Sequence, residues 1–129
     1  MTQEEKNLLL KDLCARLPYK VKVCLYKKET CILTGIDGHE VYLNVDSDSF
    51  RIESIKPYLR PMSSMTEEED KEAKTNGCII YHDTSPKNRG LMVIAPPKGI
   101  DWLNAHHFDY RGLIEKGLAL EALEDMYKQ

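Results

Sequence analysis

A change of hydrophobic period at Pro18 constrains this chain more than any other feature. Before it, Leu9, Leu10, Leu13 and Leu17 recur every three to four residues, the spacing that lines one stripe of a helix. After it, Val21, Val23 and Leu25 alternate with Lys20, Lys22 and Cys24, a period of two that suits a strand with one buried face. Pro18 marks the boundary physically, because the residue before a proline is pushed out of the α region. Thr2-Gln3-Glu4-Glu5 opens the helix as a capping box, its hydroxyl and carboxylate satisfying free N–H groups. A helix over about residues 3 to 16 is expected, its apolar stripe docked on the rest of the chain.

The alternation continues in Cys31-Ile32-Leu33-Thr34, in Val41-Tyr42-Leu43-Asn44-Val45 and in Phe50-Arg51-Ile52. Asp37-Gly38 supplies the positive φ of a tight hairpin, and Lys27-Lys28-Glu29 and Asp46-Ser47-Asp48-Ser49 are polar turns. The two prolines of Ile55-Lys56-Pro57-Tyr58-Leu59-Arg60-Pro61 suit an edge strand or a short helical turn. Four meandering strands closed by such a segment predict a small SH3-like antiparallel barrel in residues 1–62, with the first helix over one open end.

Beyond Ser63-Ser64-Met65, Thr66-Glu67-Glu68-Glu69 is a second capping box, with acidic residues at the positive end of the helix dipole. That helix reaches Lys74 almost without an apolar stripe, and Asn76-Gly77 ends it. Residues 78–82 and 91–95 are β-type runs around a polar loop, 83–90, and form a hairpin closed by Pro96-Pro97. A short helix opening near Gly99 or Asp101 carries Trp102, Leu103 and Ala105. Asp109 is the expected N-cap of another, residues 110–116, ended by Gly117, after which Leu118, Leu120 and Leu123 pack back. The class is α+β: a helix plus SH3-like sheet in 1–62, then a helix–hairpin–helix extension in 63–129, packed together as one unit.

A chain of 129 residues suits one domain or two packed halves. Eighteen basic residues against 21 acidic ones give a net charge of −3, without the basic surplus that neutralises phosphates. Lys20, Lys22, Lys27 and Lys28 make one local basic stretch, and duplex DNA is disfavoured as a partner. No apolar run approaches the roughly 20 residues that span a bilayer, and no basic-then-apolar leader follows Met1. No membrane association is expected. The cysteines, Cys14, Cys24, Cys31 and Cys78, form no CxxC pair, so they read as reduced thiols of a cytoplasmic protein, two disulfides in a secreted one being the alternative. Cys14, Cys24 and Cys31 lie where the patterns make them packing residues.

Functional side chains are densest in His106-His107-Phe108-Asp109-Tyr110-Arg111. A metal would draw on His106, His107 and Asp109, but adjacent helical histidines point about 100° apart. No further ligand stands at helical spacing, so no metal is expected, and the histidines are assigned to a helix–helix corner. A phosphate could meet the helix N-terminus after Asp109, with Arg111 and His107 adding donors, although the Asp109 carboxylate competes for that place. Asp46 and Asp48 lack the later Gly and Glu of a calcium loop. There is no G-x-S-x-G or Walker loop, and Ser85 sits in the hairpin loop. Neither an enzyme nor a cofactor is expected. Tyr26, Tyr42 and Tyr81 remain as exposed aromatics able to stack on bases or fill a partner's pocket.

Three blocks carry a resemblance. They are Leu8-Leu9-Leu10-Lys11-Asp12-Leu13-Cys14-Ala15-Arg16-Leu17-Pro18-Tyr19, then Ile55-Lys56-Pro57-Tyr58-Leu59-Arg60-Pro61-Met62-Ser63-Ser64-Met65-Thr66-Glu67-Glu68-Glu69. The third is residues 101–122, beginning Asp101-Trp102-Leu103-Asn104-Ala105-His106-His107-Phe108-Asp109-Tyr110-Arg111. Together these resemble a family of short proteins of phages, prophages and mobile elements of gut bacteria, in which 20–54 and 70–100 are the variable segments. The chain departs at Ala122-Leu123-Glu124-Asp125-Met126, where a Pro and a Gly are expected. The resemblance implies no catalytic residue. It implies an accessory binding protein in the host cytoplasm, such as an anti-defence inhibitor or a protein sequestering a nucleotide signal.

The expected partner is a host protein or a small anionic ligand, and the expected state a homo-oligomer. For the ligand, the candidate residues are Lys20, Lys22, Arg89, His107 and Arg111, with Tyr42 or Trp102 stacking. One alternative is a nucleic-acid-associated SH3-like module using the basic strand and the 83–90 loop. Another is a small hydrolase or transferase, in which His106 or His107 meets a cysteine or carboxylate in a cleft.

Overall fold

The computed structural model describes residues 1–45, 48–83 and 90–127, and the side chains of all of these but 81–83 and 90–92. Helix α1 spans Gln3–Arg16, and Thr2 and Glu5 exchange both bonds of the capping box. Its buried face is Leu9, Asp12, Leu13 and Arg16. Pro18 stands in a 3-10 turn, Leu17–Tyr19, after which Lys20 adopts φ 56 and turns the chain into the sheet.

Five strands come next: β1 (Lys22–Leu25), β2 (Glu29–Asp37), β3 (Glu40–Leu43), β4 (Ser49–Arg51) and β5 (Ile55–Leu59). A late sixth, β8 (Leu120–Glu121), completes a sheet of order β4-β3-β2-β1-β5-β8. Every neighbouring pair is antiparallel except β5 and β8, which run parallel. Gly38, at φ 62, turns β2 into β3, and the register between them shifts at Leu33/Gly35. Such a bulge bends and twists a strand locally. The chain meanders through β4 and a 3-10 turn, Ile52–Ser54, and returns β5 beside β1. Strands β4 and β8 are the edges of an open sheet, and no ladder among the described residues closes it into a barrel. Val23, Leu25, Leu33, Val41, Leu43, Ile55 and Leu59 pack with Leu9 and Leu13 of α1. Leu113, Leu118 and Ala119, from far along the chain, join the same cluster.

Helix α2 (Glu67–Thr75) carries the second capping box, Thr66 with Glu69, and Gly77 leaves its end at φ 88. Strands β6 (Ile79–Asp83) and β7 (Gly90–Ile94) form a separate two-stranded hairpin. Its tip, with Ser85 and Arg89, lies outside the described residues, as does Asp46. Helix α3 (Pro97–Ala105) begins earlier than the expected Gly99 or Asp101. Proline suits a first helical turn, where φ is already right and the missing N–H has no partner to lose. Met62, Ala73, Cys78, Trp102, Leu103 and Phe108 make a second cluster.

Two further expectations are corrected. Residues 110–116 form turns and no helix. Gly112 and Gly117 take φ 74 and φ 75, outside the helical region, and the Asp109 carboxylate accepts from the N–H groups of Leu113 and Ile114. Asp109 therefore caps a turn. Cys14 is exposed, because the buried stripe runs through positions 9, 12, 13 and 16, while Cys24, Cys31 and Cys78 are buried; all four thiols are free. Among the described residues no helix is long and apolar enough to cross a membrane.

Candidate functional site

The buried stripe of α1 carries two charges, and they organise the interior. Asp12 and Arg16 are both 0% exposed. The Asp12 carboxylate accepts from Arg16 Nε at 2.8 Å through one oxygen and from Arg111 Nη1 at 2.8 Å through the other. Arg16 Nη2 donates to the Phe108 carbonyl at 2.6 Å. The Tyr110 ring lies 5.4 Å from the Arg16 guanidinium and 4.7 Å from that of Arg111. One carboxylate between two guanidiniums is an ionic triad, fully buried at Asp12 and Arg16 and half-buried at Arg111, whose members depend on each other to offset desolvation.

Next to it the chain turns a corner at His107, which holds φ 64. A left-handed histidine is uncommon, and here backbone bonds clamp it on both sides. Arg60 N–H donates to the His107 carbonyl at 2.7 Å, and Asp109 N–H to the Arg60 carbonyl at 2.8 Å. The His107 ring stacks on Tyr127, with centroids 3.7 Å apart and planes 17° from parallel. Burial, and after it the charge of Arg16, lowers the His107 pKa to about 4, so the ring is neutral near pH 7.

Tyr127 reaches between two strands. The ladder of β1 and β5 runs from Leu25–Ile55 to Val23–Pro57. At the next position the Tyr127 hydroxyl accepts from Lys22 N–H at 2.9 Å and donates to the Tyr58 carbonyl at 2.7 Å. Burial raises its phenol above the ordinary range. Lys22 Nζ donates to the Met126 carbonyl at 2.6 Å and lies 5.6 Å from the ring centroid.

On the other side of the corner His106 stacks on Trp102 at 4.2 Å, with a ring nitrogen 3.9 Å from each of the Glu69 and Glu72 carboxylates. Trp102 Nε1 donates to Glu72 at 2.9 Å. Arg60 binds Glu69 through two bonds of 2.7 Å and lies 4.2 Å from the centroid of the Phe108 ring. Those bonds from Arg60 hold the Glu69 carboxyl at a pKa of about 2.

Among the residues singled out by sequence, Lys22 and His107 therefore meet across Tyr127. Arg111 belongs to the same seam but is tied to Asp12. Trp102 stands on the far side of the corner, and Lys20 is exposed at the start of β1. Tyr42 is half-buried on β3, two strands away from β1 in the sheet. Tyr26 is exposed, Tyr81 has no described side chain, and Arg89 lies outside the described residues.

Sequence reasoning missed Asp12, Arg16 and Tyr127. The first two had a signal: positions 9, 12, 13 and 16 are themselves a helical stripe, and charges on it must find buried partners. Among the described residues no group of three or more potential ligands could hold a metal ion. Comparison of the chain with protein-family models, with curated proteins and with solved structures finds no match in any of the three.

Proposed function

We propose that this chain is a non-enzymatic accessory binding protein of a phage or mobile element, acting in the bacterial cytoplasm on a protein of its host. The division of its side chains supports this. Asp12, Arg16, Arg60, Glu69, Asp109 and Arg111 are engaged with one another or with backbone groups, and His106 and His107 lie against aromatic rings. Large apolar side chains, in contrast, stand in solvent. Ile79 and Ile94 are direct cross-strand partners on the β6–β7 hairpin, and each is 59% exposed. A paired apolar patch on a two-stranded hairpin is the kind of surface that marks a contact site.

We read β1 to β5 as an SH3-like module, since β5 returns beside β1 after a 3-10 turn, and the hairpin as the surface that this scaffold presents. The hairpin falls within 70–100 and the exposed Tyr26 within 20–54, the segments that the resemblance makes variable. Asp125 holds φ 68, a conformation natural to glycine, inside the stretch where the resemblance implies a Gly. An anti-defence role follows by analogy with that context.

The test is affinity purification from host lysate with the native chain and with an Ile79→Asp/Ile94→Asp double variant. Two carboxylates set opposite one another repel, so the comparison uses the variant only where it melts cooperatively, and Ile79→Asp/Ile94→Lys, which pairs opposite charges, replaces it where it does not. The expected result is a stoichiometric host protein captured by the native chain and lost by the variant. Capture of nothing, or equal capture by both, would sink the reading.

A further inference from the structure

The slot that holds the Tyr127 ring satisfies one ring and leaves other groups unmet. One wall is the flat face of His107, 3.7 Å from the phenol ring. Its floor is a backbone donor beside a backbone acceptor, Lys22 N–H and the Tyr58 carbonyl, exposed where the β1–β5 ladder gives out. A phenol serves both with a single oxygen. A nucleobase edge serves the same pair with two atoms, an acceptor nitrogen and the N–H donor next to it, and every base offers a face to stack.

Around this slot stand cations. Lys22 Nζ donates to a neutral carbonyl, that of Met126. Arg16, 0% exposed, directs two of its nitrogens to Asp12 and Phe108 and leaves Nη1 without a hydrogen-bond partner among the described residues. His107, 8% exposed, leaves Nδ1 likewise unpartnered. A buried polar atom left unsatisfied costs about 1–3 kcal/mol, so each of these two is a place where a polar ligand atom would be favoured. Arg16, Arg60 and Lys22 all act on the His107 ring as positive charges. The opposing carboxylates of Asp12 and Glu69 are held by Arg16, Arg111 and Arg60. Phosphoryl oxygens are the natural partners for such donors.

We infer that this slot binds a nucleoside monophosphate, its base against His107 and its phosphate toward Arg16 and Lys22, and that the Tyr127 ring is a built-in competitor for the base. The strap carrying Tyr127 is short. Strand β8 has two residues, Ala122 N–H adds one bond to the Leu59 carbonyl and Leu123 is 65% exposed. The bonds from Lys22 Nζ to Met126 and between the Tyr127 hydroxyl and Lys22 and Tyr58 lie at the slot itself, where a ligand would replace them. Leu118 and Ala119, buried in the core, anchor the chain upstream of the strap. The inference stands apart from the hairpin reading, because Ile79→Asp/Ile94→Asp leaves the slot intact.

Isothermal titration calorimetry tests it, using the full chain, Tyr127→Ala, Tyr127→Phe and Tyr127→Ala/Lys22→Ala. The titrants are AMP, GMP, CMP, UMP and inorganic phosphate. At least one mononucleotide should bind the native chain. Its affinity should rise about tenfold or more in Tyr127→Ala, since a competitor that fills most slots weakens apparent binding by that fraction. Adding Lys22→Ala should lower it again about tenfold, roughly 1.4 kcal/mol, and inorganic phosphate should bind more weakly than the nucleotide. No heat from any nucleotide with a Tyr127→Ala variant that still melts cooperatively would overturn the inference, and would leave the unpartnered atoms to a bound water. Phosphate binding as tightly as the nucleotide, or an affinity unmoved by Tyr127→Ala, overturns it as well. Should Tyr127→Ala fail to fold, Tyr127→Phe keeps the ring and loses both bonds; an affinity there no higher than native overturns it equally.

Discussion

Among the described residues, fifteen buried ones, all aliphatic except Cys31, make the cluster under the six-stranded sheet, and six, Met62, Ala73, Cys78, Trp102, Leu103 and Phe108, make the cluster between α2, α3 and the hairpin. The larger one is closed by ladders and by apolar area. The smaller is ringed by directional bonds: Arg60 to Glu69, Trp102 to Glu72 and Tyr110 to Asn104. Where apolar area is scarce, order depends on polar groups, and so on pH and on single polar substitutions. The Asp12–Arg16–Arg111 triad joins the two regions, running from α1 to the residues just past the corner.

Breaking that junction should have the largest effect. Asp12→Ala leaves the buried Arg16 guanidinium, and the half-buried one of Arg111, without their carboxylate, at a cost of about 3–5 kcal/mol, measurable by urea denaturation. A loss below about 1 kcal/mol would mean that the two regions do not need the triad.

Acid comes next. His107 refuses a proton in the folded chain until about pH 4, against an ordinary value of 6.5. Between those values the unfolded chain binds more protons, so stability falls as pH drops through that window and levels off below it. The loss is on the order of 3 kcal/mol. Glu69, at about 2 against 4.5, adds a second decline as pH falls from 4.5 to 2, on the order of 2 kcal/mol once partial exposure is discounted. Denaturation at a series of pH values should show both. His107→Asn, which tolerates the left-handed backbone, should flatten the upper decline, and Glu69→Gln the lower. An unaltered upper decline in His107→Asn would assign it to another group.

Packing of the smaller cluster is tested by Gly99→Ala. A Cβ there would lie 2.9 Å from Cys78 Sγ, 3.0 Å from Ala95 Cβ and 3.1 Å from the Asn76 carbonyl oxygen. Overpacking of that kind costs about 1–3 kcal/mol, and a neutral result would show this region to be loosely packed. The smallest effect is expected from Thr66→Ala, which removes a cap worth about 1 kcal/mol. Because α2 buries only Ala73, amide exchange should quicken in α2 and stay unchanged in β1 to β5. Equal quickening in both would mean that the two regions open as one.

Local signals made much of this fold legible. Two capping boxes and Pro18 place α1 and α2, alternation places β1 and β3, and two β-type runs around a polar loop place the hairpin strands. What escaped was non-local. Strand β8 has two residues and pairs in parallel with a strand some 60 positions earlier, so no local pattern announces it. Asp109 signalled a cap, but Gly112 and Gly117 turn the capped segment into turns. In the candidate site, Lys22 and His107 were legible as donors, yet Tyr127, which lies between them, carries no mark in sequence. Asp12 and Arg16 stand on the stripe of α1 and declare a buried pair, but their third member, Arg111, comes 99 residues after Asp12.

The hydrogen bond from Arg16 to the Phe108 carbonyl spans 92 residues, and this sets an order of assembly. During synthesis α1 and the strands β1 to β5 emerge long before residues 106–111. Until those arrive, the face that α1 offers the sheet still carries Asp12 and Arg16 without Arg111 or the Phe108 carbonyl. Contacts of such long sequence separation are slow to close, and an unclosed helix face exposes the surface on which nascent chains aggregate. Consolidation of the helix on its sheet is therefore expected to wait for the corner at His107, which would complete the candidate site late in folding.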